Sequence, residues 1–229
     1  MQAVLYDIHG NLPALDAVVD DARAAGAAGF VLGGDYALFG AFPRETVTRL
    51  RELGATWIRG NTDRWLEDRA DLPQSELNER SLAHCRGALG EAAHGLAALP
   101  PTAIVDGALV CHASPRSDMK SFMPDPGEAD ASLLADEDPD VIVFGHTHLQ
   151  FRRPSGRHTL VNPGSVGLPF DGDRRAAYAL WRGESDFELR RVDYDSEAYA
   201  AQVRDRMGET LGDTVETLVR RVQEAEFVN

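Results

Sequence analysis

Cysteine is scarce: only Cys85 and Cys111 occur in a chain of 229 residues, far apart and outside any paired metal motif. This argues against a disulfide-stapled scaffold and a thiolate zinc site. Both read as buried thiols, and a reducing cytoplasm is the default compartment. Positive charge is also short, with 23 basic against 37 acidic residues and a net charge of −14. Such a surface disfavours extended nucleic acid and membrane surfaces, while leaving room for a small phosphorylated ligand at a locally positive site. No apolar run approaches the roughly 18–20 residues that span a bilayer. The opening Met1–Tyr6 lacks a basic start and runs straight into Asp7, unlike a signal peptide. Repeats, linkers and low-complexity tracts are missing too. The length therefore suits one domain over residues 1–229, with a helical tail from about Ser196.

What is present centres on the run Val141–Phe144, which ends in Gly145-His146-Thr147-His148. The run reads as a buried strand, and two imidazoles one residue apart at its mouth are what a metal site requires. Earlier segments supply matching parts. Residues 2–6 read as a buried strand leading to Asp7-Ile8-His9-Gly10-Asn11, where Asp7 and His9 share one side of extended backbone. Asn11 caps the next helix, whose apolar face is Leu12, Leu15, Val18, Val19 and Ala22. A phosphate contact at that helix end is the alternative role for Asn11. Gly29–Leu32 forms a second strand that exits through Gly33-Gly34-Asp35, and the Gly/Phe-rich loop Tyr36–Phe42 leads to a helix opened by Pro43. Thr56–Ile58 is a third strand, followed by Gly60-Asn61-Thr62-Asp63. This alternation predicts a largely parallel sheet with its strand exits on one edge, where ligands bind.

Residues 64–99 read as helical, with His84 and His94 incidental to the site. Asp106-Gly107 marks a hairpin between Thr102–Val105 and Ala108–Cys111, and its second strand delivers His112. Ser117–Gly127 reads as a surface loop and Glu128–Ala135 as a short helix. Further strands fall at Leu149–Arg153, His158–Val161, Ala176–Trp181 and Asp186–Val192, with His158 structural. In the helical tail, Leu211, Val215, Leu218 and Val222 form a stripe that either docks on the domain or makes a homo-oligomer contact.

Asp7, His9, Asp35, Asn61, His112, His146 and His148 thus stand at five strand exits, each beside glycine or proline. Seven nitrogen and oxygen donors exceed the needs of one tetrahedral ion. They suit two ions sharing a carboxylate.

Asp7-Ile8-His9, Gly34-Asp35, Gly60-Asn61-Thr62-Asp63, His112 and Gly145-His146-Thr147-His148 together resemble the motifs of the calcineurin-like metallophosphoesterases. The Asn162–Pro169 loop and the chain length most resemble the small bacterial and archaeal phosphodiesterase-like subgroup. The resemblance implies an α/β fold, a two-sheet β-sandwich flanked by helices, which replaces the single parallel sheet. It implies that Asp7, His9 and His148 hold a first divalent ion, and Asn61, His112 and His146 a second, with Asp35 bridging. Manganese is the first expectation, and iron, nickel, cobalt and zinc are also compatible. The implied reaction is phosphodiester hydrolysis by in-line attack of a metal-bridging hydroxide on a small phosphorylated substrate. Asn61 and Asp63 are the candidate catalytic residues, with Asp63 orienting Asn61 or Thr62. Asn11 and Arg116 are the candidate substrate contacts, Arg116 being equally a solvated arginine.

Two departures from the family pattern stand out. Thr62 replaces a histidine that serves as acid for the leaving group, which disfavours alkyl esters relative to aryl or anhydride-like phosphates. Tyr6 replaces a small serine, a matter of packing more than chemistry. A nucleotide-polyphosphate hydrolase of the dinucleoside tetraphosphatase kind is the rival enzyme. A non-catalytic metal-binding scaffold is the rival from another class.

Overall fold

Gln2–Leu5 (β1) is the strand around which the first sheet assembles, with Ala3, Val4 and Leu5 fully buried and neighbours on both edges. The structure is a computed structural model and describes residues 1–228. After β1 come α1 (Leu12–Ala24), β2 (Gly29–Leu32), α2 (Pro43–Arg51), β3 (Thr56–Trp57) and α3 (Asn61–Arg64). Then follow α4 (Glu76–Leu89), α5 (Ala92–Ala97), β4 (Thr102–Val105), β5 (Ala108–Cys111), α6 (Asp130–Leu133) and β6 (Val141–Val143). The chain continues with β7 (Phe151–Ser155), β8 (His158–Asn162), β9 (Ala176–Trp181) and β10 (Phe187–Val192). It closes with α7 (Ser196–Leu211), a 3-10 turn at Gly212–Thr214 and α8 (Val215–Glu224).

Two mixed five-stranded sheets result, ordered β10-β9-β1-β2-β3 and β4-β5-β6-β8-β7. Parallel pairing holds from β1 to β3, as the alternation of strands and helices predicts. The other edge of β1 takes β9 antiparallel, and β10 folds back on β9 in the same sense. A strand buried along its whole length fills that edge, and a short hairpin can only pair antiparallel. The single parallel sheet is thereby corrected to two sheets flanked by helices.

Side-chain alternation along β1 explains the layers. Ala3 and Leu5 face the outer helices, packing with Leu15, Val18 and Val19 of α1. Val4 and Tyr6 face the second sheet, packing with Val110, Val143 and Val161. On the far side of that sheet, Leu109, Ile142 and Leu160 pack under Phe122 and Leu133. Cys85 and Cys111 are both buried free thiols. Leu211 at the end of α7 and Val215, Leu218 and Val222 of α8 pack with Tyr199, Val203 and Met207 of α7 and with Leu168 within the chain.

Residues 65–75 depart from the expected helix. Asp71 accepts hydrogen bonds from the Arg64 guanidinium and from Trp65 Nε1, which folds the chain back after α3. Pro73 withholds a donor, and Ser75 restarts the helix by accepting from Asn78 N at 3.1 Å. The helix expected over Glu128–Ala135 contracts to Asp130–Leu133. The strand expected from Leu149 begins at Phe151, because Gln150 turns its amide to the carbonyls of Pro163, Tyr178 and Arg190. No helix among the described residues is long and apolar enough to cross a membrane.

Candidate metal centre

The seven candidate ligands leave the carboxyl ends of β1, β2, β3, β5 and β6, and backbone hydrogen bonds tie these exits together. Asp7 N donates to Gly34 O at 3.1 Å, His9 N to Asp35 O at 3.0 Å and Gly145 N to His112 O at 2.7 Å. Ser165 Oγ and Gly167 N both donate to Asp7 O, which brings the Asn162–Pro169 loop over the first exit. Tyr6 stitches the sheets at the same level, its hydroxyl 3.1 and 2.9 Å from the carbonyls of Cys111 and Val143. Its ring fits only because positions 33 and 145 are glycine: a Cβ would fall 1.9 Å from it at Gly33 and 2.4 Å at Gly145.

The side chains converge on buried Asp35. His112 Nε2 lies 3.4 Å from Asp35 Oδ1 and 3.9 Å from Asp7 Oδ1, and His9 Nε2 lies 3.7 Å from Asp35 Oδ2. Asn61 Oδ1 sits 2.9 Å from His112 Nε2 and 3.0 Å from His146 Nδ1. Asp7, His9 and His148 form one compact group, and Asp7, Asp35 and His112 another, with ligand atoms within 4.8 Å of each other in each. Such a nitrogen and oxygen set fits divalent ions. His9 and His112 give Nδ1–H to the carbonyls of Leu38 and Gly33, at 2.8 and 2.9 Å, and His148 does so to Leu168 O. His9 and His148 then present an Nε2 lone pair to the centre, and His112 does so once its Nε2 proton is lost, as ligation requires. Asp7 Oδ1 is fully buried and finds no hydrogen-bond donor among the described residues. A cation would satisfy that orphan.

Backbone strain collects at the same place. Of nine non-glycine residues at positive φ among those described, five are Asp7, His9, Asp35, His146 and His148, at 47–70°. Left-handed backbone at such residues costs on the order of 1–3 kcal/mol each, and the surrounding hydrogen bonds must hold it.

Electrostatics follows from burial and proximity. Burial raises the Asp7 carboxyl to about 8 against the pull of His112. Burial would raise Asp35 too, but His112, His9 and His146 hold its carboxyl below the usual carboxylate range. His112 resists its own burial because Asp35 and Asp7 face it, which takes it up to about 10. Burial and the charge of His112 push His146 down to about 4. Burial and His9 push His148 well below the ordinary imidazole value. Asp63, raised to about 7 by burial and by Asp35, accepts from the amides of Asp35, Tyr36 and Gly60 at 2.8, 3.1 and 2.9 Å. It is tied to the backbone of the second and third exits.

A cavity of about 350 Å³ opens on this centre, lined by His9, Asp35, Asn61, Thr62, His146 and His148. The expected substrate contacts are not brought to it. Asn11 is fully buried: its Oδ1 caps α1, and its amide donates to Gly167 O and the Tyr194 hydroxyl. Arg116 pairs with Asp138 and Glu137 and does not line the cavity. His84, His94 and His158 do not line it either. Unforeseen from sequence are Phe170, stacked on His148 at 4.4 Å, and Arg221 and Phe227 from the C-terminal tail. A basic residue on the buried stripe of the last helix, between Leu218 and Val222, was the available signal for Arg221.

Residues 1–186 match the calcineurin-like phosphoesterase superfamily domain, and the chain belongs to that family. It is 29% identical over 241 residues to the protein MJ0912 of Methanocaldococcus jannaschii, covering 93% of this chain and 96% of that one. The crystal structure of a metallophosphoesterase from Sphaerobacter thermophilus is similar with a TM-score of 0.80 and 27% identity, covering 98% of each chain. The protein PH1004 of Pyrococcus horikoshii shares the fold at a TM-score of 0.82 and 20% identity, over 97% of this chain and 99% of that one.

Proposed function

We propose that this protein is a dinuclear metal-dependent phosphoesterase acting on phosphodiesters of small molecules. Family membership supports hydrolysis of a phosphoester. The observation that carries the dinuclear reading is that the strand exits bring Asp7, His9 and His148 into one ligand group and Asp7, Asp35 and His112 into another, with Asn61 Oδ1 between His112 and His146. Asp7, His9 and His148 would hold one ion and Asn61, His112 and His146 the other, with Asp35 available to both. Two divalent ions bound there would acidify a water and neutralise phosphoryl charge. The chain's own residues orient and exclude. Leu38, Gly33 and Leu168 fix the ring tautomers through their carbonyls. Asp63 holds the amides of Asp35 and Gly60, which positions the bridging carboxylate and the start of α3. Thr62 lines the cavity where the family pattern has a proton donor, and its hydroxyl is a poor one at neutral pH. That favours esters with good leaving groups. Manganese suits the all-nitrogen-and-oxygen set, and the two free buried thiols suit a reducing cytoplasm.

The test is hydrolysis of bis-p-nitrophenyl phosphate with added Mn²⁺. Wild type turns over, and Asp35→Asn loses at least about 100-fold. Two ions bound per chain with no phosphoester hydrolysed would sink the enzymatic reading and favour a scaffold.

A further inference from the structure

We propose that Arg221, carried by the C-terminal helix α8, is a substrate-binding residue that grips an anionic phosphoryl oxygen in the cavity beside the metal centre. The inference rests on the phosphoesterase reading above and adds a residue that none of its motifs contains.

Arg221 is 7% exposed and occupies the buried stripe of α8 with Leu218, Val219 and Val222. It is the one lysine or arginine among the described residues lining the cavity, beside His9, His148 and Phe170. The guanidinium lies 4.4 Å from the Phe227 ring centroid, and its Nε donates to Val228 O at 2.8 Å. Its two terminal nitrogens make no hydrogen bond among the described residues, and no described carboxylate lies within 4.0 Å of it. Arg153 is the contrast: it is as buried, at 8%, and pairs with Asp130 at 2.7 Å. A buried cation without a counter-ion is costly, because desolvation is not repaid. The cost registers in the guanidinium itself, which burial pulls down to about 10. Its charge also helps burial depress His9.

Placing that cation next to a seat for two more cations makes sense only when an anion completes the arrangement. A phosphoryl group does so, since the planar fork of arginine matches two phosphate oxygens. The rival role is structural, Arg221 serving only to pin Phe227 and Val228 over the end of α8. That role predicts lost stability with unchanged anion affinity.

The experiment titrates inorganic phosphate into the manganese-loaded protein by calorimetry, with wild type, Arg221→Met and Arg221→Lys. Arg221→Met weakens phosphate binding by about 10–100-fold, and Arg221→Lys retains part of the affinity as a point charge without the fork. The KM for bis-p-nitrophenyl phosphate rises in parallel while kcat changes little, and the melting temperature without phosphate does not fall. An Arg221→Met protein that binds phosphate like wild type, keeps its KM and melts lower overturns the proposal and leaves the structural clamp. If Arg221→Met fails to fold, Arg221→Lys decides: phosphate affinity and KM equal to wild type overturn it. A wild type that hydrolyses phosphodiesters keeps the functional reading intact whichever way Arg221 falls. One that neither hydrolyses them nor binds phosphate overturns both.

Discussion

His148 Nε2 lies 3.2 Å from His9 Nε2, with both rings buried and each Nδ1 turned to a backbone carbonyl. Two lone pairs therefore face each other. Burial holds both imidazoles below their ordinary value, so they are neutral at pH 7. Lone pairs at that separation repel unless a cation lies between them. Saturating Mn²⁺ at about 100 times its dissociation constant should stabilise the chain by about 2.7 kcal/mol, raising the melting temperature by about 5–10 °C. A chelator should reverse the shift. His148→Ala, which relieves the repulsion, should melt no lower than wild type without metal and should gain less than half of the shift with it. Scanning calorimetry with and without Mn²⁺ checks both, and an absent wild-type shift would rule out a metal seat at this pair.

Metal uptake should also release protons. Burial raises the Asp7 carboxyl to about 8, and Asp35 and Asp7 hold a proton on His112 up to about 10 against the effect of its burial. Coordination requires carboxylate and neutral imidazole, so below pH 8 both groups must lose protons as the ion enters. Between pH 8 and 10 only His112 must. Affinity for Mn²⁺ should consequently rise with pH, most steeply below 8, by up to about tenfold per unit for each proton released. Calorimetric titration at pH 7 in two buffers of different ionisation enthalpy should show about one to two protons released per chain. Equal heats in the two buffers would mean that neither group holds its proton in the metal-free protein.

All seven candidate ligands were legible in the sequence because their signal is local: a strand, a glycine that permits close approach, then a side chain able to ligate. The alternation of strands and helices through β3 was legible for the same reason. What escaped depends on contacts between distant segments. Nothing near Ala176–Trp181 says that it will take the free edge of β1 antiparallel. The apolar residues from Leu66 onward keep a helical look, yet Asp71 draws Arg64 and Trp65 toward it and ends that helix early. Asn11 reads first as a helix cap and second as a phosphate contact; the cap is what forms, and its further hydrogen bonds to Gly167 and Tyr194 come from loops more than 150 residues away. Tyr6 read as a packing substitution. Its hydroxyl joins the strands that deliver His112 and His146, a role visible only once both sheets are in place. Arg221 reaches the cavity only through the docking of α7 and α8, which a helical stripe does not specify.

Thr62 offers the sharpest chemical test. Its backbone N donates to Asp35 Oδ1 at 2.9 Å, its side chain faces the cavity, and its Oγ1 is buried with no partner among the described residues. On the proposed reading, an imidazole placed there would line the cavity beside Asn61 and could give a leaving group a proton near neutral pH. General acid assistance is worth about 10²–10⁴ in rate when the geometry is right, and an introduced side chain should recover about 10–100-fold of that. Thr62→His should therefore raise kcat on a simple alkyl phosphodiester by this factor while leaving bis-p-nitrophenyl phosphate within about threefold, since an aryl oxide departs without help. The rate on the alkyl ester should also gain a descending limb as pH rises through the pKa of the new imidazole, near its unperturbed value of about 6.5. Steady-state kinetics on both esters from pH 5 to about 9 measure the gain and the limb together. If the variant binds metal as wild type does and the alkyl ester gains nothing at any pH, a missing proton donor at position 62 is not what limits this enzyme.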